Sequence, residues 1–242
     1  MNKRIRLGVL TPSSNTALEP MTTEMVAGLS NVSAHFSRFT VTEISLGDRA
    51  LGQFQVGKIL DAAKLLADAH VDVIAWSGTS SGWLGFGTDE SLCRQITEAT
   101  GIPSTTSVLA LNEILEKTGV RRLGLATPYL DDVQERIVAN YRDIGITCVA
   151  ERHLGLHVNF EFADVDELTI CNLVRGIARA QPEAITTFCT NLHAAHLVEL
   201  LEAEIGIPVY DTIATVVWKA LRMTGVDTRG LRDWGRLFRE VI

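Results

Sequence analysis

Apolar and polar positions along the chain alternate between two regimes: short, nearly continuous apolar runs, and longer stretches with apolar residues three or four apart. The first regime marks strands covered on both faces of a parallel sheet, and the second marks amphipathic helices. Strands are predicted at Ile5-Arg6-Leu7-Gly8-Val9-Leu10, over Phe36 to Leu46, at Val71 to Trp76, as a short piece after Gly101-Ile102-Pro103, at Arg122 to Thr127, Thr147 to Arg152, Glu183 to Phe188 and after Gly206-Ile207-Pro208. Helices are predicted over residues 16–29, Gly57 to Ala69, Asp89 to Thr100, Leu109 to Lys117, Asp131 to Asp143, Val165 to Ala180, residues 193–204 and Ile213 to Thr224.

The pattern then repeats itself. Arg122-Leu123-Gly124-Leu125-Ala126-Thr127-Pro128-Tyr129 parallels Arg6-Leu7-Gly8-Val9-Leu10-Thr11-Pro12-Ser13, and Gly206-Ile207-Pro208 parallels Gly101-Ile102-Pro103. Between these landmarks, the strand that ends Trp76-Ser77-Gly78-Thr79-Ser80-Ser81 has a counterpart ending Thr187-Phe188-Cys189-Thr190-Asn191. Three landmarks in the same order predict two tandem α/β units, each a small parallel sheet with helices on both sides, because parallel strands need right-handed crossovers. The expected fold class is α/β: two pseudo-twofold-related Rossmann-like domains, with the active site in the cleft between them. The division expected is residues 1–106 plus 213–242 as one half and 107–212 as the other.

In such sheets ligands bind beyond the carboxyl ends of the strands. The ends at Thr11 to Asn15, Gly78 to Ser81, Thr127 to Tyr129 and Cys189 to Asn191 are therefore expected to line one cleft, with Gly78 opposite Cys189. The cleft is then rich in hydrogen-bond donors. Thr79, Ser80 and Tyr129 supply hydroxyls, Asn15 an amide, and the backbone near Ser13, Ser14, Ser80 and Thr190 supplies N–H groups. The alternative reading of each hydroxyl at a strand end is a helix N-cap. Cys189 is a candidate proton donor, since a free cysteine titrates near 8.5 and is largely a thiol at neutral pH; a following helix N-terminus would favour thiolate instead. Trp83, Leu84 and Phe86 are candidates for a dry wall, with plain core packing as the other reading.

Composition narrows the classes of partner. The formal net charge of −7 and pI near 5.4 argue against nucleic acid, whose phosphates call for clustered Lys and Arg. No apolar run is long enough to span a bilayer, so no membrane partner and a cytoplasmic location are expected. Cys93, Cys148, Cys171 and Cys189 are irregularly spaced, which suggests neither a disulfide framework nor a zinc site. The first three fall inside predicted elements away from the cleft. His193 and His196 have metal-compatible spacing but no third ligand, and His193 is alternatively a neighbour that tunes Cys189.

These motifs resemble the aspartate/glutamate racemase superfamily, in the branch of arylmalonate decarboxylase and maleate cis-trans isomerase. Pro12-Ser13-Ser14-Asn15-Thr16 is similar to the first loop of the maleate isomerases. Gly78-Thr79-Ser80 and the run Ala126 to Arg136 are similar to segments of arylmalonate decarboxylase, and Cys189 stands at the second-half cysteine position. Superfamily members work without metal or organic cofactor, so none is expected. Racemases place a thiol on each face of the substrate carbon; with Gly78 in the first position, the resemblance implies a decarboxylase that uses one thiol. Thr79, Ser80, Tyr129 and Cys189 are then the expected catalytic residues, and Ser13, Ser14, Asn15, Gly78, Asn159 and Thr190 the expected substrate-binding ones. Asn159 resembles the loop asparagine of the maleate isomerases, and Cys189-Thr190-Asn191 is bulkier than the decarboxylase pattern, which points to a small polar dicarboxylate. An isomerase and a non-catalytic carboxylate binder are the alternatives, and self-association is compatible with each. A cysteine placed at Gly78 is expected to complete a two-thiol racemising pair.

Overall fold

The computed structural model describes residues 3–47, 52–54 and 56–242. Among the described residues, eight strands form two four-stranded parallel sheets. The first contains β1 (Ile5–Pro12), β2 (Val32–Phe39), β3 (Val73–Trp76) and β4 (Ser104–Thr106) in the order β2-β1-β3-β4. The second contains β5 (Arg122–Thr127), β6 (Thr147–His153), β7 (Ala184–Thr187) and β8 (Val209–Asp211) in the equivalent order β6-β5-β7-β8. The duplication written in the sequence is thus a duplication of topology.

The helices are α1 (Leu18–Ala27), α2 (Val56–Asp68), α3 (Ser81–Leu84), α4 (Gly87–Thr100), α5 (Ser107–Thr118), α6 (Asp131–Asp143), α7 (Glu167–Ala178), α8 (Val198–Ile205), α9 (Thr212–Met223) and α10 (Leu237–Glu240). None among the described residues is long and apolar enough to cross a membrane. Local chemistry explains their ends. Gly101 and Gly206 close α4 and α8 with φ of 71° and 73°, a conformation that a side chain disfavours, so each Gly-Ile-Pro sequence is a helix stop followed by a strand start. Thr106 caps α5 through Leu109 N, and its counterpart Asp211 caps α9 through the amides of Ile213 and Ala214. Helices α5 and α9 pack on each other at the seam between the sheets, and Thr215 Oγ1 donates to Ser107 O at 3.0 Å.

Two departures from the sequence reading bear on the site. The second strand covers Val32–Phe39, pairing Ile5 with Val32 through Pro12 with Phe39, rather than Phe36 to Leu46. Val41 and Ile44 are buried all the same, but as a loop that crosses to the other half, where Ile44 N donates to His157 O and Asn159 N to Thr42 O. The apolar alternation there records burial, not strand. The helix expected at 193–204 begins at Val198 after a single 3-10 turn, so residues 189–194 form an irregular loop.

Gly8 and Gly124 mark the close approach of crossover helices to the central strands. A methyl on Gly124 would lie 2.4 Å from Ile177 Cγ2 of α7, and one on Gly8 3.3 Å from Leu66 Cδ1 of α2 and 2.8 Å from Val71 Cγ2 just beyond it. Gly124→Ala is expected to lower the stability by about 1–3 kcal/mol through overpacking, read as a lower urea midpoint; an unchanged midpoint would contradict the close packing.

Candidate active site

The strand registers fix which positions of the two halves correspond. Leu7 pairs with Val73 in the first sheet, and its counterpart Leu123 pairs with Ala184 in the second. Counting along the strands, Trp76 corresponds to Thr187, Gly78 to Cys189 and Thr79 to Thr190. Gly78, Thr79 and Ser80 from one half line a single small cavity together with Tyr129, Asn159, Cys189 and Thr190 from the other. Pro12, Val41, Ile44, Trp76 and Trp83 supply its apolar surface. The space enclosed is about 20 Å³, room for roughly one water. A dicarboxylate enters only if the covering residues move.

The two halves are joined around this cavity by buried hydrogen bonds. Asn15 donates from Nδ2 to Thr190 O at 3.0 Å while its Oδ1 accepts from the amides of Ala17 and Leu18. Thr190 Oγ1 donates to Ser77 O at 3.1 Å. Asn191, at a strand end expected to line the cleft, accepts from Thr16 N at 3.0 Å and donates to Asn159 O. Asn159 Nδ2 in turn donates to Ser14 Oγ at 2.8 Å, and the Ser13 and Ser14 hydroxyls reach Val41 O. The amides of Asn15 and Asn159 are therefore engaged in bridging the halves, and Ser13 N is taken by Phe39 O. Among the described residues, Ser80 N and Thr190 N have no backbone acceptor.

Thr79 and Tyr129 meet across the seam, with Thr79 Oγ1 and the Tyr129 hydroxyl 2.6 Å apart. Ser80 stands at the start of α3 without a side-chain capping bond, so the N-cap reading does not hold for it and its hydroxyl lines the cavity instead. Of the three residues considered for a dry wall, Trp83 lines the cavity edge-on to Tyr129 at 5.3 Å. Leu84 is partly exposed and Phe86 packs on Tyr141.

Cys189 is a buried free cysteine, 3% exposed. Burial pushes its thiol up to about 11, although the Tyr129 hydroxyl and the amides of Asn191 and Leu192 donate toward the sulfur; Asn191 N lies 3.4 Å from Sγ. Because the next α-helix begins only at Val198, no helix N-terminus opposes that burial, and the group is a thiol at neutral pH. Tyr129 is likewise held well above its usual value by burial, with the neighbouring sulfur adding to the effect. Behind Thr187, burial raises Asp211 to about 6, against hydrogen bonds from Thr187 and the α9 amides. Among the described residues no Lys or Arg lines the cavity, whose polar lining is neutral.

The remaining candidates lie apart from this chemistry. Cys93 is in α4, Cys148 in β6 and Cys171 in α7. The His193 and His196 rings stack at 4.5 Å, and His196 Nε2 is bonded to Glu167 at 2.9 Å. Neither His193 nor His196 lines the cavity that Cys189 faces.

One residue the sequence reading passed over proves central. An indole covers Gly78: a Cβ there would lie 2.1 to 2.5 Å from three ring atoms of Trp76. The expectation that Gly78→Cys by itself supplies a second thiol is therefore revised, since the ring already occupies the space. The signal available in the sequence was the spacing of two along the strand end, which puts both residues on one face.

Two sheets of equal topology, joined at a seam that carries one buried thiol, define the class: an α/β fold of the aspartate/glutamate racemase type. Residues 7–238 match the arylmalonate decarboxylase family. The chain is 31% identical over 188 residues to an arylmalonate decarboxylase of Bordetella bronchiseptica, covering 76% of this chain and 78% of that one. It is 24% identical to a maleate isomerase of Pseudomonas putida KT2440, with 92% of each chain covered. A crystal structure of a maleate isomerase from Pseudomonas putida S16 with maleate superposes with a TM-score of 0.90 at 22% identity, over 98% of each chain. The chain belongs to the arylmalonate decarboxylase family, in the branch of the superfamily that also holds maleate isomerases.

Proposed function

We propose that the protein is a cofactor-independent decarboxylase of a malonate-type or related small dicarboxylic acid. The observation that carries this reading is the Cys189 thiol, protonated at neutral pH and, among the described residues, the one cysteine facing the cavity, whose equivalent first-half position is a glycine. One carboxylate is held by the Ser80, Thr79 and Tyr129 hydroxyls with the Ser80 and Thr190 amides. The other sits against Trp83, Val41 and Ile44, where loss of hydration favours its departure. The bond from the α carbon to that carboxylate breaks and releases carbon dioxide, and its electron pair passes into the retained carboxylate as an enediolate. Cys189 then gives its proton to the α carbon, and the thiolate regains one from water.

A specific feature favours a second reading, an isomerase of a small dicarboxylate: Asn159 lines the cavity, as the resemblance to the maleate isomerases implies. Addition of sulfur to a double bond needs a thiolate, however, and burial holds Cys189 as a thiol. Proton magnetic resonance in deuterated water, with methylmalonate, methylphenylmalonate, maleate and aspartate as substrates, separates the readings. Carbon dioxide loss with one deuteron gained at the α carbon is expected. Fumarate formation from maleate would establish the isomerase, and binding without turnover would leave a carboxylate-binding protein.

A further inference from the structure

We propose that the Trp76 indole is the specificity-determining wall on the first-half side of the cleft, limiting the substituent carried there by the reacting carbon to methyl size or smaller. The proposal rests on reading the cleft as the site of a small dicarboxylate protonated by Cys189.

Trp76 ends β3 and Gly78 follows two residues on, so the two backbone positions present the same side and the ring lies where a side chain of residue 78 would project. The overlap is not a matter of a flexible tip. Atoms Cζ2, Cε2 and Cη2 of the indole are all within 2.5 Å of the would-be Cβ. The ring is 1% exposed and braced by Phe39, with ring centroids 5.0 Å apart, and a close-packed interior resists such displacement.

The other half is built differently at the equivalent place. Thr187, the counterpart of Trp76, is small and turns its hydroxyl to Asp211 Oδ2 at 2.7 Å, which leaves Cys189 open to the cavity. A duplicated scaffold thus presents a donor on one side and an aromatic wall on the other. The absence of a first-half thiol is only part of that asymmetry, because the ring also excludes anything large. A carbon bound between them can set a hydrogen, a methyl or a hydroxyl against the indole, but not an aryl group.

The test uses wild type, Trp76→Phe, Trp76→Val, Gly78→Cys and the Trp76→Val/Gly78→Cys double variant. Calorimetric binding of methylphenylmalonate, which has a methyl to set against the ring, and of ethylphenylmalonate, whose substituents are both larger than methyl, is measured beside decarboxylation of each. The ratio of affinities for ethylphenylmalonate over methylphenylmalonate is expected to rise at least tenfold in Trp76→Val, with Trp76→Phe between; an unchanged ratio would overturn the proposal. Thermal melting supplies a readout independent of any ligand. Gly78→Cys is expected to melt below wild type, and the double variant above the sum of the two single losses, because trimming the ring frees the space the thiol needs. Additive losses would count against the wall whatever the ligands do. If the affinity ratio shifts while no protein releases carbon dioxide, the wall stands and the decarboxylase reading falls. If carbon dioxide is released while the ratio stays put, the decarboxylase reading stands and the wall falls.

Discussion

Cys189→Ala is expected to lower kcat for decarboxylation by two to four orders of magnitude, the usual contribution of a positioned proton donor, while leaving the fold intact. The side chain is small and buried among residues that stay in place, so the melting temperature should move little. Binding precedes proton transfer, so the loss belongs in kcat rather than KM. The pH profile carries the sign. Cys189 acts as the thiol, and burial places its ionisation at about 11. The rate should therefore be level between neutral pH and about pH 9, then fall roughly tenfold per unit as pH rises beyond the thiol's ionisation. Thiolate absorbance near 240 nm, followed against pH in wild type and in Cys189→Ala, assigns that limb. Full decarboxylation by the alanine variant would sink the donor role.

The second large effect is expected for Tyr129→Phe. The Tyr129 ring is wedged edge-on between Trp83 at 5.3 Å and Phe162 at 5.7 Å, contacts that phenylalanine keeps. What the variant loses is one hydroxyl that serves two neighbours, Thr79 Oγ1 at 2.6 Å and the Cys189 sulfur. Removing one donor aimed at a developing oxyanion typically costs about 3–4 kcal/mol in the barrier, so kcat should fall by about 10²–10³. The stability cost should be nearer the ~1 kcal/mol of a single hydrogen bond. The Tyr129 hydroxyl also opposes the upward push of burial on Cys189, so its loss should move the alkaline limb to higher pH. An unchanged kcat, or a limb displaced to lower pH, would remove Tyr129 from the chemistry.

Much of the scaffold was legible because its punctuation is local. Gly101 and Gly206 must adopt positive φ, and Pro103 and Pro208 follow them, so the helix stops could be read directly from the chain. Helix α6 runs over Asp131–Asp143 as its periodicity predicts. Pro20 falls in the first turn of α1, where a missing N–H costs nothing. Tertiary override accounts for the errors. Val41 and Ile44 look like a continuing strand because burial gives the same apolar spacing whether the backbone pairs or merely covers a cavity. Residues 193–197 look like the first turn of a helix because their apolar positions, Ala194, Ala195 and Leu197, are all buried.

Within the site, residue identity and repeat position were enough to bring Thr79, Ser80, Tyr129, Cys189 and Thr190 to one cavity, and the family resemblance added Asn159. Side-chain direction was not legible. Asn15 and Asn159 had the chemistry of carboxylate donors, but whether an amide faces a ligand or a carbonyl across the seam depends on the other half of the chain. Asn191 stands at a strand end expected to line the cleft, but its bridging role was hidden for the same reason, since its partners Thr16, Ala17 and the Asn159 carbonyl are distant in sequence.

The sequence by itself determined the duplicated α/β plan, the cleft at the strand ends and the inequality between Gly78 and Cys189, because repeats, helix stops and residue types are properties of the chain read in order. Only the tertiary structure decided what fills the space above Gly78 and how the Cys189 thiol is charged. Both depend on what surrounds a residue in three dimensions: the Trp76 ring braced by Phe39 on one side, and on the other a burial that outweighs every donor aimed at the sulfur.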